Sequence, residues 1–183
     1  MRRLIVFNQV TLDGYFTDEK NDISWAHRND PEWNEFVAGN AKSGGVLLFG
    51  RVTYDMMASY WPTPAARQNL PAVAEGMNQM PKIVLSRTMQ KASWNNTSVA
   101  KGIADVAKVK KASGPDIVVL GSGSVVGQLA DAGLIDEYQL VINPLALGAG
   151  RTLFEGVKKK ISLKLTESRT FKNGNVLLCY EPA

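Results

Sequence analysis

The chain has 183 residues, of which 45% are hydrophobic and 21% charged, so it is long enough to bury a sizeable core and has the composition of a soluble globular protein. Its formal charge is only +4, with 21 Lys and Arg against 17 Asp and Glu, which suits a small anionic ligand and argues against nucleic-acid binding. One cysteine and one histidine exclude an internal disulfide and a Cys/His zinc cluster, so we expect no metal and a reducing, cytoplasmic location.

The first part of the chain alternates between strand-like and helix-like segments. Leu4–Gln9 is predicted to form a buried strand. Its apolar run is too short for the core of a signal peptide or for a membrane span. Asp13-Gly14 opens a polar loop after it. Asp30-Pro31 predicts a helix start, with Asp as the N-cap and Pro at the first helical position. Apolar residues at helical spacing continue to Ala41, and Gly44-Gly45 ends the run.

Strands and helices continue to alternate further along the chain. The predicted elements are a strand over Val46–Phe49 with a helix from about Arg51, a loop from Tyr60 to Pro71, a strand over Lys82–Ser86, a helix over Ile103–Ala112, a strand over Asp116–Leu120 whose helix stops at Gly133, and a strand over Glu137–Ile142. Asn173-Gly174 is a strong signal for a two-residue hairpin between two final strands. The pattern predicts one three-layer α/β domain over residues 1–183, with a central mixed sheet that is mostly parallel and ends in an antiparallel hairpin.

The stretch VVLGSGSVVGQLADAG, from Val118 to Gly133, joins an apolar strand to a helix through glycines and serines. Its glycines are spaced GxGxxxG and follow several earlier strands, so neither their spacing nor their position fits the Rossmann fingerprint. Glycine amides at a helix start still suit an anion, and Ser122 and Ser124 add hydroxyl donors. The alternative is a tight strand-to-helix turn that binds nothing.

Two further strand ends carry groups that bind anions. LLFGRVTY places Arg51 and Thr53 at a helix start, and KIVLSRT ends in Ser-Arg-Thr. Ligands of open α/β sheets bind outside the carboxyl ends of the strands, so these turns converge on one crevice if their strands are parallel neighbours. An arginine with hydroxyls suits a terminal phosphate, and glycine amides suit a diphosphate. This combination favours NADPH over NADH, because only NADPH has a 2′-phosphate.

Four segments in this order, TLDGYFT, FGRVTY, KIVLSRT and VLGSGSVV, together with the later LIDEYQLVINPLALGAGRTLFEG, resemble the dihydrofolate reductase superfamily. Within it, the chain is similar to the reductase domain of bacterial riboflavin biosynthesis, of RibD C-terminal type, and to stand-alone relatives of that domain. The resemblance implies an NADPH-binding α/β fold that is often a homodimer. It also implies a set of NADPH-binding residues, namely Gly50, Arg51, Thr53, Ser86, Arg87, Thr88, Gly121, Ser122, Gly123, Ser124 and Val125.

The substrate side of the site is also assigned through the resemblance. The TLDG segment resembles the loop that borders the nicotinamide and the substrate, which makes Asp13 a candidate catalytic acid that acts through a water molecule and places Gly14 beside the substrate. The alternative is that Asp13-Gly14 only makes a turn. Trp25, Tyr60 and Trp61 are candidates for contact with an aromatic ring, with packing as the alternative. No carboxylate near the first long helix maps onto the pterin-binding carboxylate of dihydrofolate reductases.

Two functions follow from these residues. The first is an NADPH-dependent oxidoreductase that reduces a small heterocycle, either pterin- or dihydrofolate-like or similar to 5-amino-6-(5-phosphoribosylamino)uracil. For hydride transfer, the main requirement is that the protein position the cofactor against the acceptor. The second is a non-catalytic nucleotide-binding module with a regulatory or sensor role. The zinc deaminase signature of bifunctional riboflavin enzymes is absent from the sequence, so only the reductase half is expected.

Overall fold

The computed structural model describes residues 1–27 and 30–183, and within them eight strands form one central sheet. The strands are β1 (Leu4–Thr11), β2 (Tyr15–Thr17), β3 (Val46–Gly50), β4 (Lys82–Leu85), β5 (Thr97–Ala100), β6 (Ile117–Val119), β7 (Glu137–Asn143), β8 (Arg151–Thr152), β9 (Leu163–Thr170) and β10 (Val176–Pro182). The helices are α1 (Pro31–Ala41), α2 (Arg51–Tyr60), α3 (Pro64–Asn69), α4 (Pro71–Gln79), α5 (Ile103–Lys111) and α6 (Gly123–Asp131).

The central sheet has the strand order β5-β4-β3-β6-β1-β7-β10-β9, and β2 pairs separately with β8. All neighbours from β5 to β7 are parallel, and β10 is antiparallel to both β7 and β9. The predicted α/β fold with a mostly parallel mixed sheet and a C-terminal antiparallel pair is therefore confirmed.

Side chains that alternate along the strands pack against helices on both faces of the sheet. On one face, Leu48 and Val119 pack with Val126 of α6. On the opposite face, Phe49 packs with Tyr54 of α2. The apolar runs of the parallel strands are thus buried on both sides, which produces the predicted three layers. No helix in the described part of the chain has the length and apolar character needed to cross a membrane.

The predicted start of α1 is confirmed, whereas the segment from Tyr60 to Pro71 differs from the prediction. At α1, the Asp30 carboxylate accepts a hydrogen bond from the Trp33 amide at 2.9 Å. The predicted loop instead contains α3 and leads into α4, because Pro64 and Pro71 each occupy a first helical turn. A proline there needs no amide hydrogen and has the right φ, so it starts a helix rather than preventing one.

The turn between β9 and β10 is longer than the two residues predicted from Asn173-Gly174. The Phe171 amide donates to the Asn175 carbonyl at 2.9 Å, which leaves three residues between that pair. Gly174 has φ +89°, so the glycine serves the left-handed position of this longer turn.

Candidate functional site

Four turns lie side by side at one edge of the sheet, because they follow the carboxyl ends of the neighbouring strands β4, β3, β6 and β1. In that spatial order they are Ser86–Thr88, Gly50-Arg51, Gly121–Ser124 and Thr11–Gly14. These strands are parallel neighbours, which meets the condition under which the arginine turns and the glycine turn converge on one crevice.

The turns after β3 and β6 form one tight backbone unit. The Gly50 amide donates to the Gly121 carbonyl at 2.9 Å. A Cβ on Gly50 would lie 2.7 Å from Ser122 Oγ and 2.9 Å from Val125 Cγ2, so a side chain at this position would force the neighbouring turn to shift. Gly121 has φ +109°, in the left-handed region that favours glycine, and the Gly121–Ser122 peptide bond is cis.

The two helices that begin in this crevice have open N-termini. Within the described residues, no side chain caps α2 at Gly50 or α6 at Ser122. The Ser122 hydroxyl instead lies 3.0 Å from the Ser124 hydroxyl. The first amides and the serine hydroxyls of α6 are thus suited to an anion, which the positive end of a helix favours.

Positive charge lies next to these helix starts, on the β3–β4 side. Arg51 Nη1 donates to Thr88 Oγ1 at 2.8 Å, which joins the start of α2 to the turn after β4. Arg51 Nε also lies 3.5 Å from the Asp55 carboxylate. Arg87 is exposed in the same turn. Ser86 is buried, and its Oγ accepts a hydrogen bond from the Met89 amide at 3.1 Å.

Two polar side chains approach Gly121, Thr53 from α2 and Asn8 from β1. A Cβ on Gly121 would lie 3.2 Å from Thr53 Oγ1 and 3.5 Å from Asn8 Nδ2. Both side chains are 8% exposed, and the Oδ1 atom of Asn8 is buried with no hydrogen-bond partner among the described residues. Asn8 is absent from the sequence prediction, since one asparagine in an apolar strand has no spacing signal. The available signal was a polar residue near the carboxyl end of a strand predicted to be buried.

Part of the glycine-rich motif contacts protein instead of open space. A Cβ on Gly123 would lie 2.7 Å from the Phe16 ring and 2.9 Å from the Thr152 carbonyl oxygen. A Cβ on Gly127 would lie 3.0 Å from the Glu155 carbonyl oxygen. Val125 is buried in the core, and its amide donates to the Ser122 carbonyl at 3.0 Å. These residues let α6 pack closely on β2, β8 and the chain after β8, which fixes where the helix starts.

An open groove of about 550 Å³ continues from the serine turn along the side of α6. Its lining includes Ser124 and Gln128 of α6, Ile103 at the start of α5, and Lys158. The groove therefore extends the crevice towards the end of β5.

Asp13 ties two loops together. Its carboxylate accepts hydrogen bonds from the Thr11 hydroxyl at 2.5 Å and from the Gly148 amide at 2.8 Å, with the Leu147 amide at 3.1 Å. These bonds, led by the one from Thr11, lower the pKa of Asp13 below its ordinary value. Gly14 has φ +88°, and its amide donates to the Thr11 carbonyl, as in a turn. The geometry gives Asp13 a structural role, and its catalytic role stays a prediction.

The three aromatic substrate candidates lie in two different segments of the chain. Tyr60 and Trp61 stand at the far end of α2, with ring centroids 5.1 Å apart, and Trp61 Nε1 donates to Met57 Sδ at 3.1 Å. Trp25 lies in a short 3-10 turn and is half-buried, and its buried indole Nε1 has no partner among the described residues. Contact of these three residues with a substrate stays a prediction.

Comparison with curated proteins gives two relatives of similar length in Bacillus subtilis (strain 168). The uncharacterized protein YyaP is 30% identical over 181 residues, which cover 98% of this chain and 94% of YyaP. The uncharacterized protein YwjB is 22% identical over 170 residues, which cover 93% of this chain and 92% of YwjB.

Two solved structures share the fold over nearly the whole chain. One is a putative riboflavin biosynthesis protein from Shewanella sp. PV-4, with a TM-score of 0.73, 23% identity and 99% of each chain covered. The other is dihydrofolate reductase from Enterococcus faecalis in complex with NADP(H) and RAB-propyl, with a TM-score of 0.67, 16% identity, and 98% of this chain and 96% of that chain covered. The fold is therefore that of the dihydrofolate reductases. The family model of the RibD C-terminal domain matches residues 2–177, and the chain therefore belongs to the RibD C-terminal domain family.

Proposed function

We propose that the protein is an NADPH-dependent oxidoreductase that reduces a small heterocycle, either pterin- or dihydrofolate-like or similar to 5-amino-6-(5-phosphoribosylamino)uracil. The observation that carries this proposal is the crevice in which the uncapped starts of α2 and α6 adjoin the hydrogen-bonded pair Arg51 and Thr88. Family membership and the reductase-like fold agree with it.

The residues of the crevice fit a phosphorylated dinucleotide. The open amides and hydroxyls of Ser122 and Ser124 suit the diphosphate, because both are donors at a helix start. The 2′-phosphate that distinguishes NADPH from NADH suits Arg51, Arg87 and Thr88, since one guanidinium can donate two parallel hydrogen bonds to phosphate oxygens. The groove beside Ser124 offers room for the adenosine.

Bound NADPH would supply the hydride, and the protein would bind, orient and shield it. The loop from Thr11 to Gly14 stands at the end of β1, where Asp13 anchors it to Leu147 and Gly148. The hydrogen bonds that lower the pKa of Asp13, led by the one from Thr11, disfavour its protonated form further, so the carboxylate suits the orientation of a water molecule better than the donation of its own proton.

The alternative is a nucleotide-binding sensor without turnover. It is favoured by the same three hydrogen bonds to Asp13, which occupy the ionisable group expected to act on the substrate. The two functions differ in one observable result. A reductase oxidises NADPH when its acceptor is present, whereas a sensor only binds it.

The assembly and location of the protein also belong to this proposal. We infer that residues 1–183 act as one reductase domain in the cytoplasm and that two copies form a homodimer, without nucleic acid or membrane as partners. Sedimentation at micromolar concentration tests the dimer, because a particle of 20.0 kDa, the mass of one chain, would contradict it.

The first experiment measures the affinities for NADPH and NADH through nicotinamide fluorescence, for the wild type and Arg87→Ala. We expect NADPH to bind more tightly and the variant to lose about 1.5–3 kcal/mol of that preference, the scale of a charge-assisted hydrogen bond. Arg67→Ala, at an exposed arginine of α3, is the matched control and should leave the preference unchanged. If neither nucleotide binds, the proposal is wrong.

A positive result leads to assays of NADPH oxidation with dihydrofolate, other reducible pterins and ribosylaminopyrimidines. Turnover on one of these acceptors supports the reductase. Tight NADPH binding without oxidation on any of them supports the sensor.

A further inference from the structure

The strands β7, β10 and β9 form the part of the sheet beyond β1, and their side chains alternate between two faces. On one face, Val141 and Leu177 belong to the core cluster that contains Trp33 of α1. On the opposite face, Leu140 and Tyr180 pack at the margin of the core cluster that contains α6. The helices of this second side have their main strand contacts elsewhere in the sheet, α5 with β5 and α6 with β3.

The face of these three strands that points away from α1 is called the outer face here, and it is apolar. Its side chains are Leu140 and Ile142 of β7, Val176, Leu178 and Tyr180 of β10, and Leu165 of β9. Leu165 is 49% exposed and the others are half-buried. No charged residue stands on this face of the three strands, all of which the structure describes.

The polar residues of β7 lie instead on the face that α1 covers. Glu137, Gln139 and Asn143 alternate with the residues of the outer face. An antiparallel sheet with one solvated face normally places its polar residues on that face and its apolar residues towards the core. The pattern here is the reverse, so the outer face has the composition of a surface that is buried in the assembled protein.

The size of the outer face suits the centre of a subunit interface. Three strands of about seven residues span about 14 by 24 Å, and exposed apolar patches of a few hundred Å² mark protein–protein contacts. Phe154, which is 37% exposed, borders the face through its contact with the Tyr138 ring at 5.8 Å. Ser168 and Thr170 of β9 add hydroxyls at the rim. A stable interface of about 800 Å² per partner has this composition, with an apolar centre and a polar rim.

We propose that the outer face is the dimer interface, and that the outer face of a second copy packs against it about a two-fold axis. This inference rests on the homodimer of the proposed function and names the surface that forms it. A two-fold axis brings each patch against its own copy, so a patch with charge of one sign would repel itself. The outer face has no charge and avoids that repulsion. Two sheets packed face to face lie about 10 Å apart, with their side chains interdigitated.

The free edge of β9 offers a second way for two copies to associate, and its residues argue against it. β9 is the last strand of the sheet, and Lys164, Glu167 and Arg169 stand along it. Charged side chains on an edge strand discourage pairing with another edge. The apolar face is therefore the better surface for a second copy than the charged edge.

The test measures sedimentation at micromolar concentrations for the wild type and two lysine variants of the outer face. Leu178→Lys lies on the middle strand, where pairing of β9 edges would not bury it. Leu165→Lys lies at a position that is 49% exposed, so it keeps the test valid if Leu178→Lys fails to fold. The matched control is Glu167→Lys, which places the same side chain on the same strand as Leu165 but on the opposite face.

We expect the wild type and Glu167→Lys to sediment at twice the mass of one chain, which is 20.0 kDa. Each outer-face variant should raise the dissociation constant of the dimer about hundredfold or more, because the dimer would bury a lysine from each copy without a partner. Both variants should then sediment as folded monomers, with the circular dichroism of the wild type.

The outcomes separate this inference from the rest of the proposed function. A monomeric wild type overturns the inference together with the homodimer, and would leave the outer face for a different protein. If both outer-face variants remain dimers, or if Glu167→Lys dissociates as they do, the dimer uses another surface and the inference is wrong. NADPH titration of the same samples tests the oxidoreductase separately, because its phosphate turns lie at β4, β3 and β6.

Discussion

Replacement of Gly50 by alanine tests whether the turns after β3 and β6 form one binding unit. Gly50 has φ −72° and ψ 161°, which alanine adopts without strain, so the effect comes from space alone. The new Cβ would lie 2.7 Å from Ser122 Oγ and 2.9 Å from Val125 Cγ2. Val125 is only 4% exposed and cannot turn away, so the start of α6 must shift.

The size of the effect follows from the kind of contact. Extra methyl groups in well-packed sites cost about 1–3 kcal/mol, so the free energy of unfolding of Gly50→Ala should fall by that amount. The new Cβ also stands 3.3 Å from the Ser122 amide nitrogen. The shift therefore displaces the amides proposed to bind the diphosphate, and NADPH affinity should fall together with stability.

Two other glycines provide controls for urea unfolding and NADPH titration. A Cβ on Gly76 of α4 would overlap the Ala41 carbonyl of α1, far from the crevice, so Gly76→Ala should lose stability and keep its NADPH affinity. Gly39 of α1 has open space around it, and Gly39→Ala should gain up to about 1 kcal/mol from helix propensity. The reasoning is refuted if Gly50→Ala matches the wild type in both measurements, or if Gly76→Ala loses as much affinity as Gly50→Ala.

Two further changes test charges inside and outside the crevice. Burial lowers the pKa of Lys82 from 10.5 to about 8, so the unfolded chain binds more protons than the folded chain between these pH values. The free energy of unfolding should therefore rise by about 3 kcal/mol as the pH increases from 8 to 10.5. Lys82→Met should flatten the rise in urea unfolding between pH 8 and 10.5, and an equal rise in both proteins would contradict the assignment. Asp55→Asn removes the carboxylate 3.5 Å from Arg51 Nε, so NADPH should bind up to about twofold more tightly at low salt, whereas weaker binding would show that Asp55 orients the arginine.

Patterns with a physical cause in the local chain predicted most of the fold. The Asp30-Pro31 helix start is confirmed, and the strands at Gly50 and before Gly121 end within one residue of their predicted ends, because caps, prolines and apolar runs act within a few residues. The helices at Pro64 and Pro71 were missed, since proline marks both loops and first helical turns.

The crevice was harder to predict than the elements around it. The arginine and glycine turns meet as expected because parallel strands bring their carboxyl ends to one edge. The other features of the crevice depend on contacts between residues far apart in the chain, and no short sequence pattern reveals such contacts. Gly123 contacts Phe16 and Thr152, Asp13 binds amides of a loop more than a hundred residues away, and Asn8 meets Gly121 only through the pairing of β1 with β6.

The central position of β1 has a consequence for biosynthesis. Residue 11 ends β1, yet its two neighbours in the sheet begin at Ile117 and Glu137, so a nascent chain carries an apolar strand with both edges open until those segments leave the ribosome. Gly121 follows β6 by two residues. Pairing with β6 therefore closes one edge of β1 at about the stage of synthesis at which the glycine turn emerges, and the other edge stays open until β7 follows.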